Sequence, residues 1–304
     1  MPEPVAIGLD LGTSGVRAVA LSRAGAVLSM TRSAPLSGAE RRDPEILWHA
    51  VRGCLTSLVP DPGRARDGTP VALAIAATSG SLLGLDTTGR AVTPISLYSD
   101  RGPEAVVDRI SANAPHAAPV FGATSPLARM IACLQDPRVA RIAFEGQYIL
   151  ERLAGRALPA DVNTTLKAGA DPLRAAWPGW FDALKVDHPR LPGLVAPGTD
   201  LGQIAPDMAR ALGLPTGLRL VAGTTDGCAA ALAAGLANAG DAVTSLGSTL
   251  ILKILSDTLV TAPRHGIYSH RLLGRWLVGG ASNAGGAALR TVFTDARMTE
   301  LAPH

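Results

Sequence analysis

The chain has 304 residues, 47% hydrophobic and 17% charged, which supplies buried cores for roughly two domains. Its 28 Lys and Arg against 25 Asp and Glu leave a formal charge of +3; the basic residues are nearly all scattered arginines, and without a basic run nucleic-acid binding is not expected. Cys54, Cys133 and Cys228 are far apart and lack metal-ligand spacing, which points to a reducing compartment; no positively charged leader precedes the first strand, and no run reaches the roughly 18 apolar residues of a membrane span, so no membrane partner and a cytoplasmic location are expected.

The segment Val5 to Leu21 reads as an apolar strand, a glycine hairpin and a second strand. Asp10 stands where the first strand gives out. Gly12 and Gly15 bracket Thr13 and Ser14, so the turn can present bare N–H groups to an anion, although an ordinary hairpin has the same composition. A turn at Ser22–Gly25 and a strand from Ala26 to Thr31 follow. Asp43-Pro-Glu45 caps a helix running from Ile46 to Leu58, with apolar residues at helical spacing. Pro70 to Thr78 is a buried parallel strand, and its end delivers Thr78-Ser-Gly-Ser81. Ligands sit off the carboxyl ends of such strands, so Ser79 and Gly80 are ligand-contact candidates, where a plain strand-end turn would read the same. The order βββαβ is that of an RNase H-like lobe.

A hairpin over Leu82–Val92, turning at Asp86–Gly89, leads into Pro94-Ile-Ser-Leu-Tyr-Ser-Asp-Arg101. The region 102–155 is helical in pattern, with Ser125–Leu134 and Ile142–Leu153 as two helix-length runs. Asp161 and Asn163 fall in an expected loop, and Trp177, Trp180 and Phe181 are expected to pack a loop onto the sheet. A helix over Asp207–Leu212 and a strand over Leu218–Ala222 reach Thr224, Thr225 and Asp226. A helix follows at once, from Cys228 to Leu236. Asp226 therefore lies at its positive end, where it can cap the helix or stay ionised as a general base. After a glycine-bounded hinge at 235–240, strands are expected at 242–246, 250–255 and 266–279, a hairpin at 247–249, a glycine turn at 279–286 and a helix at 287–293.

The second strand–hairpin–strand repeats the first: Asp10-Leu-Gly-Thr-Ser14 matches Ser245-Leu-Gly-Ser-Thr249, and Val221-Ala-Gly-Thr-Thr-Asp-Gly227 is another strand ending in a polar glycine turn. Two lobes that each offer a hairpin to one polyphosphate is the arrangement of sugar kinases, Hsp70 and actin. The chain resembles the FGGY carbohydrate kinases, and most closely their ribulokinase-like members. The resemblance implies an α/β, RNase H-like (actin-like ATPase) fold with one complete lobe, a sugar-binding lobe at 1–234, and the start of a second, nucleotide-side lobe at 235–304. It also implies transfer of the γ-phosphate of ATP, carried with Mg²⁺, to a pentulose such as D-ribulose or D-xylulose. Asp226 would be the base. Asp10 would stand near the metal and the transferring group. Gly12, Thr13 and Ser14 would cradle phosphate, with Gly247, Ser248 and Thr249 approaching from the other lobe. Ser79, Gly80, Tyr98, Asp100 and Asn163 would contact the sugar, the first two off a strand end, Tyr98 and Asp100 as the Tyr-x-Asp element of ribulokinase-like members. Asp161-Val-Asn163 is one residue shorter than the family's Asp-x-x-Asn. The family's later Gly-Gly-Gly adenosine turn has no counterpart, so weak nucleotide binding and an uncovered sheet edge open to self-association are expected. Two further readings compete: a sugar-binding or regulatory protein without catalysis, and an actin- or Hsp70-like ATPase, against which Tyr98, Asp100 and Asp226 argue.

Overall fold

The computed structural model describes residues 4–58, 72–246, 250–282, 288 and 290–301. It divides into two compact units, Met1–Ala229 and Ala230–His304.

In unit 1, β1 (Pro4–Gly12), β2 (Gly15–Ser22) and β3 (Val27–Arg32) form an antiparallel meander. β1 pairs in parallel with β4 (Ala72–Ala77), and β4 in parallel with β10 (Arg219–Thr225); β9 (Asp200–Gln203) closes the sheet, giving the order β3-β2-β1-β4-β10-β9. Alternation places Ile7, Leu9 and Leu11 of β1 and Leu73, Ile75 and Ala77 of β4 in the core, as a strand period of two requires. α1 (Pro44–Leu58) buries Leu47, Trp48, Val51, Cys54, Leu55 and Leu58. Asp43 Oδ1 accepts the N–H groups of Glu45 and Ile46 at 2.8 and 3.1 Å, so the helix starts at the Asp-Pro signal. α4 (Glu145–Ala154) and α6 (Pro206–Leu212) share the same core. This is the RNase H-like, actin-like lobe.

A second core lies under β5 (Leu82–Leu85) and β6 (Arg141–Phe144), α2 (Glu104–Asn113) and α3 (Pro126–Cys133). The run Ile142–Leu153 is not one helix. Residues 142–144 belong to β6, because Leu82–Leu85 takes them as its antiparallel partner, and the helix begins only at Glu145. In the expected hairpin at 82–92, only Leu85 and Ala91 form a bridge beyond the Asp86–Gly89 turn. Asp161 and Asn163 are not in a loop: β7 (Ala160–Asp161) pairs with β8 (Leu194–Val195), and Asp161 caps the short buried helix α5 (Val162–Thr165). Trp177, Trp180 and Phe181 do pack, Trp177 stacking on Phe144 with ring centroids 6.4 Å apart.

α7 (Asp226–Ala233) ends unit 1 and begins unit 2. Unit 2 holds an antiparallel sheet of β11 (Ala242–Leu246), β12 (Leu250–Ser256), β13 (Tyr268–Leu272) and β14 (Arg275–Ser282), in the order β11-β12-β14-β13. The single strand expected over 266–279 is two strands. Leu273 and Gly274 both take positive φ, +51° and +74°, and make the two-residue turn that folds β13 onto β14. Gly279 and Gly280 lie inside β14, paired with Lys253 and Leu252, and not in a turn. The helix expected at 287–293 falls partly outside the described residues, and α8 (Asp295–Leu301) follows. Among the described residues, no helix is long and apolar enough to cross a membrane.

Candidate active site

Three parallel strands of unit 1 end side by side. Leu11 is in register with Ala77, and Ala77 with Thr225, so the hairpin after β1, Thr78 after β4 and Asp226 after β10 form one rim. Strands lie about 4.8 Å apart, which puts the outer two ends within about 10 Å of each other. The spacing between β4 and β10 depends on Gly223: a Cβ there would stand 1.8 Å from the carbonyl oxygen of Ile75. The register shifts between Val221 and Thr224, an irregularity of the kind that bends a strand locally.

The hairpin is fastened by its carbonyls. Ser14 O accepts from Leu36 N at 3.1 Å, and Gly12 O accepts from Arg41 Nε at 2.9 Å. Gly15 has φ +144°, and a Cβ would meet Ser33 Oγ at 2.8 Å, the same hydroxyl that accepts Val16 N. Thr13 and Ser14 are exposed at the tip. Asp10 receives Arg17 Nη1 at 2.8 Å across the β1–β2 ladder. Arg41 also donates to Glu145, the first residue of α4, and both side chains are buried. Burial pushes the Glu145 carboxyl upward, opposed by the Arg41 guanidinium beside it.

Thr78 Oγ1 and Ser81 Oγ are 2.6 Å apart, and Ser81 Oγ accepts Tyr98 N at 3.1 Å. Gly80, at φ +76°, donates to Thr164 O, while its own carbonyl accepts Arg129 Nη2 at 2.9 Å. Arg129 Nη1 holds Ser96 through its carbonyl and hydroxyl, both at 3.1 Å, and burial lowers this guanidinium to about 10. Ser79 Oγ is buried with no hydrogen-bond partner among the described residues. Thr13, Arg41, Thr78, Leu97, Tyr98 and Ser99 line a cavity of about 160 Å³.

Two of the expected contact residues are engaged elsewhere. Both carboxylate oxygens of Asp100 accept from Arg42, and one also accepts Leu97 N at 2.9 Å; the guanidinium holds this carboxyl below the usual range. Asp100 shapes the loop that carries Tyr98. Asn163 is fully buried and donates to Thr224 Oγ1 at 2.8 Å, so it supports the rim from beneath. Tyr98 is 46% exposed and borders the cavity.

Asp226 is the first residue of α7 and is exposed. The helix is capped by Thr225, whose Oγ1 accepts Cys228 N at 3.2 Å, while Asp226 Oδ1 accepts Gly227 N at 2.6 Å. Gly247, Ser248 and Thr249 lie outside the described residues. No group of three His, Cys, Asp or Glu placed to hold a metal occurs among the described residues. Sequence reasoning missed Arg41, Arg42, Arg129 and Glu145. Their only local signal is charge inside apolar or turn sequence, as with Arg129 within Leu127-Ala-Arg-Met-Ile131.

Residues 5–124 match the family model described as the FGGY family of carbohydrate kinases, N-terminal domain. The chain is 28% identical over 292 residues to a xylulose kinase of Klebsiella pneumoniae, covering 89% of this chain and 59% of that protein. It is 26% identical over 292 residues to a xylulose kinase of Escherichia coli K12, covering 89% and 58%. The chain thus spans less than two thirds of the length of these relatives. The crystal structure of xylulose kinase from Rhodospirillum rubrum has the same fold, with a TM-score of 0.81 at 23% identity, covering 94% of this chain and 62% of that one.

Proposed function

Because residues 5–124 carry the N-terminal domain of the FGGY family of carbohydrate kinases, we propose that the chain phosphorylates a sugar hydroxyl, with a pentulose such as D-xylulose or D-ribulose as acceptor and ATP as donor. The carrying observation is the common rim of Asp226, Thr78 and the Gly12–Gly15 hairpin on three adjacent parallel strands. Asp226 accepts the proton of the attacking hydroxyl, and the hairpin N–H groups of Thr13 and Ser14 receive the phosphoryl oxygens. The sugar occupies the cavity beside Tyr98. The donor chemistry suits Mg²⁺ that arrives with the nucleotide. Such an ion keeps most of its waters and needs one or two carboxylates, and Asp10, about one-third exposed at the lip of the hairpin, supplies one. Mg²⁺ there would neutralise charge on the transferring phosphoryl group.

The direct test combines two measurements on the full chain. D-xylulose or D-ribulose at millimolar concentration should raise the melting temperature without nucleotide, and one of them should be phosphorylated when MgATP is added. A panel of pentuloses, pentitols and glycerol giving neither a shift nor turnover removes the reading. A shift without turnover would leave a sugar-binding protein, and nucleotide hydrolysis indifferent to sugar would leave an ATPase.

A further inference from the structure

We infer that Arg41, through its buried pairing with Glu145, is the positioning residue of the phosphate hairpin. Arg41 is 2% exposed, and its guanidinium bridges two elements: Nε donates to Gly12 O at 2.9 Å and Nη1 to Glu145 Oε1. Glu145 is in turn fixed at the head of α4, where its backbone N–H donates to Ser81 O at 3.0 Å. The pair therefore links the hairpin after β1 to Ser81, whose hydroxyl holds Tyr98 N and lies 2.6 Å from Thr78 Oγ1.

Stability does not explain this pair. Among the described residues, Arg41 Nη2 and Glu145 Oε2 are buried with no hydrogen-bond partner. A buried ion pair with unsatisfied atoms is a poor source of folding energy, and well-packed apolar residues in its place are often neutral or stabilising. What such residues cannot do is hold a carbonyl at a fixed place. The guanidinium fork suits this task because it is planar and donates in two directions at once, which a lysine ammonium on a flexible stem does not reproduce. With Gly12 O pinned, Thr13 and Ser14 are set in relation to the cavity that Thr13, Arg41, Thr78 and Tyr98 share. Positioning errors of about 1 Å cost on the order of 100-fold in rate.

This inference rests on the proposed phosphoryl transfer, and its test separates the two. Either single variant leaves one buried charge unpaired and is prone to unfold. The informative protein is the double variant Arg41→Met/Glu145→Leu, compared with the parent for melting temperature, sugar-induced melting shift, kcat and KM for each substrate, and amide exchange of the segment 9–17. The double variant should melt at or above the parental temperature, while kcat falls at least about 10-fold and amides of the hairpin exchange faster. Arg41→Lys should not restore the rate. A stable double variant with parental kcat and parental hairpin exchange overturns the positioning role. If the parent phosphorylates no sugar, the proposed function fails, and hairpin exchange alone decides the role of Arg41: faster exchange upholds it and unchanged exchange overturns it.

Discussion

Thr225, and not Asp226, caps α7: its hydroxyl accepts the N–H of Cys228 at 3.2 Å. The two residues read alike in sequence, and the structure gives the cap to Thr225. Asp226→Asn should lower sugar phosphorylation by at least roughly 100-fold, the scale of a lost general base, with the melting temperature nearly unchanged. Thr225→Val should do the reverse in stability, with a loss of about 1 kcal/mol. Steady-state rates and thermal melts of both variants check this; an Asp226→Asn enzyme turning over at the parental rate would remove the assignment of the base.

Asp100 holds its loop through Arg42 and Leu97 N. Arg42 is partly solvated, with its side chain 40% exposed, so Asp100→Ala should cost only about 1 kcal/mol of stability. Its effect should fall on sugar KM, because Tyr98 loses its support, while kcat at saturating sugar stays within a few-fold. Equal loss of kcat with unchanged KM would place Asp100 at the chemical step instead.

Gly223 and Gly53 should respond oppositely to alanine. At Gly223 the added methyl meets the backbone of Ile75, which has no side-chain freedom to retreat, so Gly223→Ala should fail to fold or lose more than about 3 kcal/mol. Gly53 sits in α1 with nothing within 4 Å of a new Cβ, and Gly53→Ala should gain about 0.5–1 kcal/mol. Denaturant melts of the pair decide, and a stable Gly223→Ala protein would contradict the close approach of β10 to β4.

Burial pushes the Asp161 carboxyl up to about 6, although Thr164 Oγ1 and the N–H groups of Asn163 and Thr164 donate to it. Its folded pKa is raised, so the stability it contributes is full below about pH 4 and is lost as pH rises through about 6. Asp161→Asn keeps an acceptor for the two N–H groups and removes the proton linkage. Relative to the parent, that variant should therefore gain in melting temperature between pH 4.5 and 7. A difference that stays flat across this range would show that the carboxyl does not titrate there.

The parts of the fold that were legible in sequence are those whose cause is local. The β1–β2 hairpin, the Asp43-Pro44 start of α1, the β4 strand and the β10–α7 junction each follow from alternation, a turn or a cap within a few residues. β6 was not legible as a strand, because its partner β5 lies about sixty residues earlier and the same Arg-Ile-Ala-Phe reads equally as helix. The site divides in the same way. Asp10, the hairpin and Asp226 sit at strand ends that sequence could place, whereas Arg41 reaches a carbonyl 29 residues earlier and a carboxylate 104 residues later. Arg42 meets Asp100 across 58 residues. Such contacts leave no periodic trace, and Asp100 and Asn163 stood out in sequence without their partners, Arg42 and Thr224, being legible at all.

Tyr98 is held in place by its own N–H on Ser81 and by the Asp100–Arg42 clamp next to it, so its ring is not what anchors its loop. Selection can then vary the side chain at position 98 and change what the cavity admits, while the strand end carrying Asp226 stays as it was. On the proposed reading, acceptor preference and turnover would then rest on separate parts of the scaffold, and the first could change at position 98 without a change at the strand end that carries the second.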